Sequence, residues 1–140
     1  MAKARANKVA GLAIGPGRQS LDMGPVNSAV QLDKILALVE SGVSEGADLL
    51  VDGRLNNCCH QPGYFLGGCL FDNVKTGMRI YQEEIFGPVL CLIRAETASE
   101  ALEIVNGNQY GNGASIFTRH GHAARQFASG VQAGLAGMTV

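Results

Sequence analysis

The chain has 140 residues, 46% of them hydrophobic and 16% charged, and a formal net charge of -1 at pH 7. This composition is typical of a globular chain that can bury a core, and it gives no electrostatic basis for binding nucleic acid or an anionic membrane. No apolar stretch approaches the ~20 residues needed to span a bilayer, and no apolar segment of a signal peptide follows the basic residues near the N-terminus. We therefore expect a cytoplasmic protein, or one of the mitochondrial matrix if the source is eukaryotic.

Two helices are predicted in the first third of the chain. Residues 1–12 are rich in Ala, Lys and Arg and predict a helix, which is followed by glycine- and proline-rich turns. A second helix is predicted from apolar residues at i, i+3, i+4, i+7 and i+11, with Asn27 or Ser28 as its N-cap and Gly46 at its end. The apolar positions are Leu32, Ile35, Leu36, Val39 and Val43.

Short strands are predicted in the middle of the chain. Residues 48–51 predict a short buried strand, and residues 54–63 a polar loop. Residues 64–66 and 69–74 are strand-like, and residues 78–82 are expected to form one helical turn.

The second half of the chain alternates strands and helices. Residues 89–94 predict a strand buried on both faces, and Thr97 with Glu100 has the spacing of a capping box at the start of the next helix. A strand over 114–118, a helix that ends at Gly130 or Gly134 and a strand from residue 136 follow. This β-α-β-α-β order favours parallel strands joined by right-handed crossovers. We predict an α/β fold and one domain over residues 1–140.

The most informative segment is YQEEIFGPVLC, residues 81–91. Gly87 and Pro88 indicate a change of chain direction before the apolar strand, so Glu84 and Phe86 are predicted on a loop at the entrance of that strand. A carboxylate accepts two hydrogen bonds from a vicinal diol, and an aromatic side chain packs against a heterocycle. The loop therefore suits a sugar that carries a flat ring.

The segment EEIFGPV resembles the signature of the aldehyde dehydrogenase superfamily, and the similarity extends along nearly the whole chain. Within the superfamily, RIYQEEIFGPVL and YGNGASIFT are most similar to the methylmalonate-semialdehyde dehydrogenase branch, whose members are NAD-dependent and CoA-acylating. The resemblance implies a partial catalytic domain that lacks the N-terminal dinucleotide-binding domain and the C-terminal tail. Other matching segments are GPG…DMGPV, SGVSEGADLLVDGR, GYFLGGCLFDNV and EALEIVNGNQYGNGASIFTR.

The resemblance also implies roles for two residues. Glu84 corresponds to the carboxylate that binds the ribose beside the nicotinamide of NAD, and Phe86 to the aromatic residue near that ring. Without the resemblance, a solvated carboxylate and a core phenylalanine would be the simpler interpretation. Glu83 is expected to be structural or solvent-facing, and Gly87 and Pro88 to shape the loop. We therefore predict Glu84 and Phe86 as cofactor-binding residues, with NAD as cofactor and CoA as the branch's co-substrate.

No catalytic residue is predicted in this chain. The family oxidises aldehydes through a cysteine thiolate, with hydride transfer from the thiohemiacetal and transfer of the thioester to water or CoA. The motif of that cysteine is expected upstream of Met1, and no G-x-G-x-x-G motif is present. Cys69 and Cys91 are predicted as reduced core residues. We therefore expect the chain to be inactive by itself.

Other interpretations remain open beside this one. Cys58, Cys59 and His60 offer a redox or metal site, but adjacent cysteines lack the usual zinc-ligand spacing, and we predict no metal. His120 and His122 are predicted in a surface loop and not as general bases. The functional alternative is a stand-alone α/β binding or self-association module, whose exposed strand edges pair with another copy.

Overall fold

A computed structural model describes residues 2–19 and 21–139 of the chain. The chain divides into two compact units, residues 1–93 and residues 94–140. Each unit is described separately below, and the single domain over residues 1–140 stays a prediction. No helix among the described residues is both long and apolar enough to cross a membrane.

The first unit contains a three-stranded mixed sheet with helices packed against it. The helices and strands are α1 (Ala2–Ala10), α2 (Ala29–Ser44), β1 (Asp48–Val51), β2 (Cys69–Asp72), α3 (Arg79–Gln82) and β3 (Val89–Cys91), with short 3-10 helices at Gly17–Gln19, Gly53–Leu55 and Asn57–His60. The strand order is β1-β2-β3, in which β2 runs antiparallel to β1 and parallel to β3.

Helix α2 begins and ends as its sequence predicts. The Ser28 hydroxyl accepts a hydrogen bond from the Gln31 backbone N–H at 3.2 Å, which satisfies one of the free donors of the first turn. After Ser44, the chain leaves the helix through Glu45 and through Gly46, whose φ of +91° favours glycine. The prediction of this helix and of its N-cap is confirmed.

The core of the first unit lies between α2 and the central strand β2. Ile35 and Val39 on α2 and Phe71 on β2 are completely buried. Gly42 brings α2 close to the sheet, since a Cβ there would lie 3.1 Å from the Phe71 ring. The other buried members of the cluster are Ala47, Leu66, Cys69, Val74, Met78 and Ile80.

Three predictions for the strands were wrong in part. Residues 64–66 form no strand. The Tyr64 carbonyl accepts a hydrogen bond from the Val26 N–H at 2.8 Å, so this segment bonds to the irregular chain before α2 and not to a neighbouring strand. The strands over 48–51 and from 89 exist, but they are not buried, since β1 and β3 are the edges of the sheet. Leu50 is 42% and Leu90 46% exposed, whereas every residue of β2 is buried.

The second unit has the predicted alternation of helices and parallel strands. It consists of α4 (Ala98–Gly107), β4 (Gly113–Phe117), α5 (Gly121–Gly130) and β5 (Leu135–Thr139). β4 and β5 pair in parallel, with Ile116 opposite Met138. The Thr97 hydroxyl accepts from the Glu100 N–H at 3.1 Å, so the predicted cap of α4 is confirmed. The α/β prediction, with parallel strands in the second half, is therefore confirmed.

Candidate functional site

The candidate site is the loop formed by residues 84–88, between α3 and β3. Its N-terminal boundary is stabilised by Glu83, whose carboxylate accepts hydrogen bonds from the Arg79 guanidinium at 2.8 Å. At its C-terminal boundary, the Pro88 carbonyl accepts from the Cys69 N–H at 2.8 Å, where the chain joins the sheet. Glu83 thus has the structural position that the sequence predicted, and the loop between these two points is short.

Helix α2 holds the backbone of this loop through two polar side chains. The Gln31 side-chain amide donates to the Ile85 carbonyl at 2.8 Å and to the Phe86 carbonyl at 3.3 Å. One turn further on, the Lys34 ammonium donates to the Glu84 carbonyl at 3.0 Å. Both side chains bind main-chain oxygens, so the helix fixes the path of the loop while leaving its side chains available.

Gly87 brings the loop into contact with the core. A Cβ at this position would lie 2.4 Å from the Cδ1 atom of Ile35, which is completely buried. No side chain fits in that space unless the core moves. Since Gln31, Lys34 and Ile35 have the i, i+3, i+4 spacing of one helix face, a single face of α2 determines where residues 84–87 lie.

Glu84 and Phe86 both project from the loop into solvent. The Phe86 side chain is 76% exposed, and its φ of +54° lies in the left-handed region that non-glycine residues rarely adopt. The Glu84 side chain is also exposed, and no hydrogen bond or ion pair from the described residues reaches its carboxylate. The interpretation of Phe86 as a core residue is therefore wrong. The Glu84 carboxylate is therefore free to accept hydrogen bonds from sugar hydroxyls, and the Phe86 ring is free to pack against another ring.

Gln31 and Lys34 are site residues that the sequence reasoning missed. Both residues were visible on the predicted amphipathic helix, but as polar side chains they were not counted in its apolar stripe, although they lie on the same face as Ile35. Nothing in the sequence paired them with a loop that follows more than 50 residues later. Only the packing of α2 against the sheet brings them to the Glu84 and Phe86 backbone.

The cysteines lie in structural positions. All four thiols are free; Cys69 is buried in the core as predicted, whereas Cys91 on the edge strand β3 is only partly buried against it. Burial raises the pKa of Cys91 and of Cys58 to about 11, and at Cys58 the neighbouring Cys59 adds to the effect. Burial also raises the pKa of Cys69, whose sulfur accepts from the Gly53 N–H at 3.3 Å. Because the thiolate is the reactive form, these shifts favour inert thiols.

The remaining candidates lie outside the loop. Cys58, Cys59 and His60 share the 3-10 helix Asn57–His60, so this part of the predicted loop is helical. Within residues 2–19 and 21–139, no three His, Cys, Asp or Glu side chains are grouped so that they could hold a metal ion. His120 precedes α5, while His122 lies in its first turn, so the surface loop predicted for His122 was wrong. Its side chain is exposed, as predicted.

Comparison with known proteins places the chain among enzymes of one family. A sequence profile described as "Aldehyde dehydrogenase family" matches residues 1–139. Malonate-semialdehyde dehydrogenase of Pseudomonas aeruginosa is 47% identical over 135 residues, which cover 95% of this chain and 27% of that protein. The human methylmalonate-semialdehyde/malonate-semialdehyde dehydrogenase, described as acylating and mitochondrial, is 43% identical over 85% of this chain and 22% of its own length.

Solved structures show the same relationship. A candidate methylmalonate-semialdehyde dehydrogenase of Sinorhizobium meliloti, crystallised with NAD, superposes with a TM-score of 0.90 at 46% identity, covering 96% of this chain and 28% of that one. The methylmalonate-semialdehyde dehydrogenase of Oceanimonas doudoroffii superposes with a TM-score of 0.93 at 38% identity, and 28% of its chain is covered. The chain thus spans about a quarter of the length of these relatives. It belongs to the aldehyde dehydrogenase family.

Proposed function

We propose that this chain is the part of an NAD-dependent aldehyde dehydrogenase that binds the nicotinamide-side ribose of the cofactor. The complete enzyme would oxidise a small semialdehyde of the methylmalonate or malonate type to an acyl-CoA. The observation that carries the proposal is the loop of residues 84–88, where α2 binds the backbone and leaves the Glu84 carboxylate and the Phe86 ring exposed. The relatives that carry these semialdehyde names support the substrate class.

The chemistry of the loop fits this role. An ionised carboxylate is an acceptor only, so the two oxygens of Glu84 can each accept a hydrogen bond from one hydroxyl of a vicinal diol. The Phe86 ring offers a flat apolar surface that orients a neighbouring heterocycle and excludes water from one of its faces. In enzymes of this kind NAD supplies the hydride acceptor. The residues of this chain would bind and orient, and the expectation that the chain alone does not turn over stays a prediction.

Three further features of the complete enzyme belong to the proposal. Transfer of the acyl group to CoA is supported by the acylating enzymes among the relatives. We propose a cytoplasmic location, or the mitochondrial matrix in a eukaryote; the relative described as mitochondrial supports the second case. A homo-oligomer is proposed only because apolar side chains of the second unit are exposed.

A ligand-dependent thermal melt tests the ribose site. Millimolar NAD or nicotinamide mononucleotide should raise the Tm of the chain by several degrees, since a ligand that binds only the folded state stabilises it by mass action. Adenosine monophosphate, which lacks the nicotinamide half, should not. Glu84→Gln should abolish the shift, while the neighbouring variant Glu83→Gln, which loses only the ion pair with Arg79, should retain it. Equal shifts with both mononucleotides would contradict the assignment.

One observation favours a second function, self-association of the second unit. β4 and β5 form a two-stranded sheet, and their register places Phe117 and Leu135 on the same face, 80% and 72% exposed. Parallel sheets are ordinarily covered on both faces, and open strand edges pair readily with other strands. A concentration series in the analytical ultracentrifuge separates the two functions. Dimers lost in Phe117→Ser, without any NAD-dependent shift in Tm, would favour the association module.

A further inference from the structure

We propose that Cys58 and Cys59 form a dithiol site for low-molecular-weight disulfides, in which Cys59 attacks the disulfide and Cys58 then closes a bridge between the two neighbouring sulfurs. The pair lies on the 3-10 helix Asn57–His60, outside the loop of residues 84–88. Its chemistry needs neither NAD nor an aldehyde, so it does not depend on the proposed function. The site takes up the redox interpretation that the sequence left open for these cysteines.

The two cysteines differ in their access to solvent. Cys58 is only 3% exposed, whereas Cys59 is half-buried and packs only in part against the core. A dissolved disulfide can therefore reach the Cys59 sulfur first, which makes Cys59 the attacking thiol. Burial, and after it the nearby Cys59 thiol, raises the pKa of Cys58 to about 11, so Cys58 stays protonated during that first step.

The hydrogen bonds of this turn tolerate a reaction at Cys59. The Asn56 side chain accepts from the Cys58 N–H at 2.9 Å and fixes the start of the 3-10 helix. The Cys59 thiol donates to the Gly53 carbonyl at 3.4 Å, and this carbonyl also accepts from the Gly67 N–H at 3.1 Å. The Gly53 carbonyl therefore keeps one donor after the Cys59 thiol has reacted, so oxidation leaves no unpaired buried acceptor there.

Cys69 is the other thiol near this turn, and it is less suited to pair with Cys59. It is 1% exposed in the central strand β2, and its sulfur accepts a hydrogen bond from the Gly53 N–H at 3.3 Å. A bridge from Cys59 to Cys69 would break that contact inside the core. A bridge to Cys58 distorts only a four-residue 3-10 helix whose first and last residues are exposed.

The reaction is a thiol–disulfide exchange in two steps. In the first, the Cys59 thiol loses its proton, the thiolate attacks one sulfur of a disulfide RSSR, and RS⁻ leaves, so that Cys59 carries a mixed disulfide. In the second, Cys58 loses its proton and attacks the Cys59 sulfur, which releases the other RS⁻. Each RS⁻ takes up one proton. The protein is oxidised to one bridge, and RSSR is reduced to two molecules of RSH.

The bridge is expected to be easily reduced. Neighbouring Cα atoms across a trans peptide lie about 3.8 Å apart, whereas the Cα atoms of ordinary disulfides are about 4.4–6.8 Å apart. A bridge between Cys58 and Cys59 is therefore strained, and strained disulfides are labile. The site is thus suited to reversible oxidation and not to stabilising the fold.

Oxidation of the 140-residue chain by oxidised glutathione tests the site. After alkylation of the remaining thiols, cleavage by chymotrypsin after Tyr64 separates Cys69 from the pair, and mass spectrometry locates each cysteine. We expect a peptide that has lost two hydrogens, with Cys58 and Cys59 unalkylated. Cys59 should be oxidised at least about tenfold faster than Cys69 or Cys91, because burial raises the pKa of both those thiols. An excess of reduced glutathione should restore the pair.

Serine variants separate the roles of the two thiols. Cys58→Ser should stop the reaction after the first step, with one glutathione held on Cys59, because no neighbouring thiol displaces it. Cys59→Ser should remain unmodified, and Cys91→Ser, the matched control, should form the bridge as the parent chain does. If the buried hydroxyl of Cys58→Ser prevents folding, Cys58→Ala gives the same test.

Phenylarsine oxide gives a measure that does not require the strained bridge. Its arsenic condenses with two neighbouring thiols and releases water, so one molecule should bind per chain, withstand a monothiol and be displaced by a dithiol. Cys58→Ser and Cys59→Ser should each weaken this binding at least about tenfold, since only one attachment remains. Cys91→Ser should leave it unchanged.

The contrary outcomes are distinct. A bridge mapped between Cys59 and Cys69 would overturn the role of Cys58, and equal oxidation of all four thiols would mean that there is no specific site. A Cys58→Ser chain without a mixed disulfide on Cys59 would overturn the role of Cys59 as the attacking thiol. Binding of the arsenical without any bridge would show neighbouring thiols that cannot close it, which also contradicts the proposal.

Discussion

In residues 1–93, the side chains of Ile35, Val39 and Phe71 are completely excluded from solvent, whereas no residue of 94–139 is buried. Both regions contain capped helices, amphipathic stripes and parallel strand pairs. Their local structure is thus equally regular. What differs is that the first region places α2 against a central strand, while the second leaves one face of a two-stranded sheet uncovered.

Two phenylalanines, one in a strand of each region, show what this difference means. Phe71 lies in β2, which has a strand on each side and α2 above it, while Phe117 ends β4 and is 80% exposed. An aromatic side chain contributes to stability mainly through the area it removes from water. The candidate site belongs to the closed region, where a rigid core can hold a loop in one conformation. A site on the open region would lack that support.

The largest expected effect is that of truncating Phe71. Phe71→Ala should lower the free energy of unfolding by about 3–5 kcal/mol, because it leaves a cavity in a packed core. Phe117→Ala should change it by about 0.5 kcal/mol or less, since the ring is already in solvent. Urea unfolding followed by circular dichroism measures both. Similar losses in the two variants would mean that the second region has a core of its own.

The next effect comes from a close approach of two backbone segments in the first region. A Cβ on Gly53 would lie 2.0 Å from the Gly67 carbonyl oxygen, and Gly67 N–H donates to the Gly53 carbonyl at 3.1 Å. Gly53→Ala should therefore cost about 1–3 kcal/mol. Gly107→Ala, at the end of α4 with open space around it, should be neutral or stabilising by up to ~1 kcal/mol. A thermal melt of each variant compares the two changes in stability. A Gly53→Ala variant as stable as the parent chain would contradict the prediction.

A smaller effect is expected at the two helix caps. Ser28→Ala and Thr97→Ala each remove one hydrogen bond to the first turn of a helix, a loss of about 1 kcal/mol. Because α2 forms part of the core, loss of its cap should appear in global unfolding. Loss of the α4 cap should mainly raise the amide exchange of residues 98–107, since this helix has no buried side chain. Hydrogen exchange that rises along α2 alone in Ser28→Ala, at unchanged global stability, would be the contrary result.

The smallest expected effect is the pH dependence of the ion pair at the end of β1. Hydrogen bonds from the Arg54 guanidinium hold the pKa of Asp52 below its ordinary value of 3.8. Because the folded-state pKa is depressed, the pair stabilises the fold above that value, and the stabilisation disappears as the pH falls through the lower folded-state pKa. The contribution should be below about 1 kcal/mol, since the pair is half-buried.

Substitution of Asp52 checks this assignment. Asp52→Asn should reduce the dependence of the unfolding free energy on pH in the acid range, as measured by urea unfolding from neutral pH downward. Asp33→Asn, at an exposed position of α2, is the matched control and should leave the dependence unchanged. If the unfolding free energy of Asp52→Asn falls with decreasing pH as steeply as that of the parent chain, other carboxylates determine this dependence.

Much of the fold was predictable because its signals are local. The cap at Ser28, the apolar stripe of α2 and the strand–helix alternation of the second half all depend on neighbours within a few residues. Burial of β1 and β3 was predicted wrongly because a run of apolar residues indicates a strand and not its place in the sheet. Whether a strand is central or at an edge depends on partners that lie far away in the sequence.

The candidate site shows the same division. EEIFGPV and its neighbouring segments were enough to predict the family, the residues of the loop and a position for Glu84 outside the core. The tertiary structure alone decided that Phe86 adopts a left-handed backbone conformation and points into solvent, and that Gln31 and Lys34 hold the loop in place. The physical reason is that local propensities act over a few residues, whereas the contacts that determine a loop's conformation come from a helix face that only packing brings near.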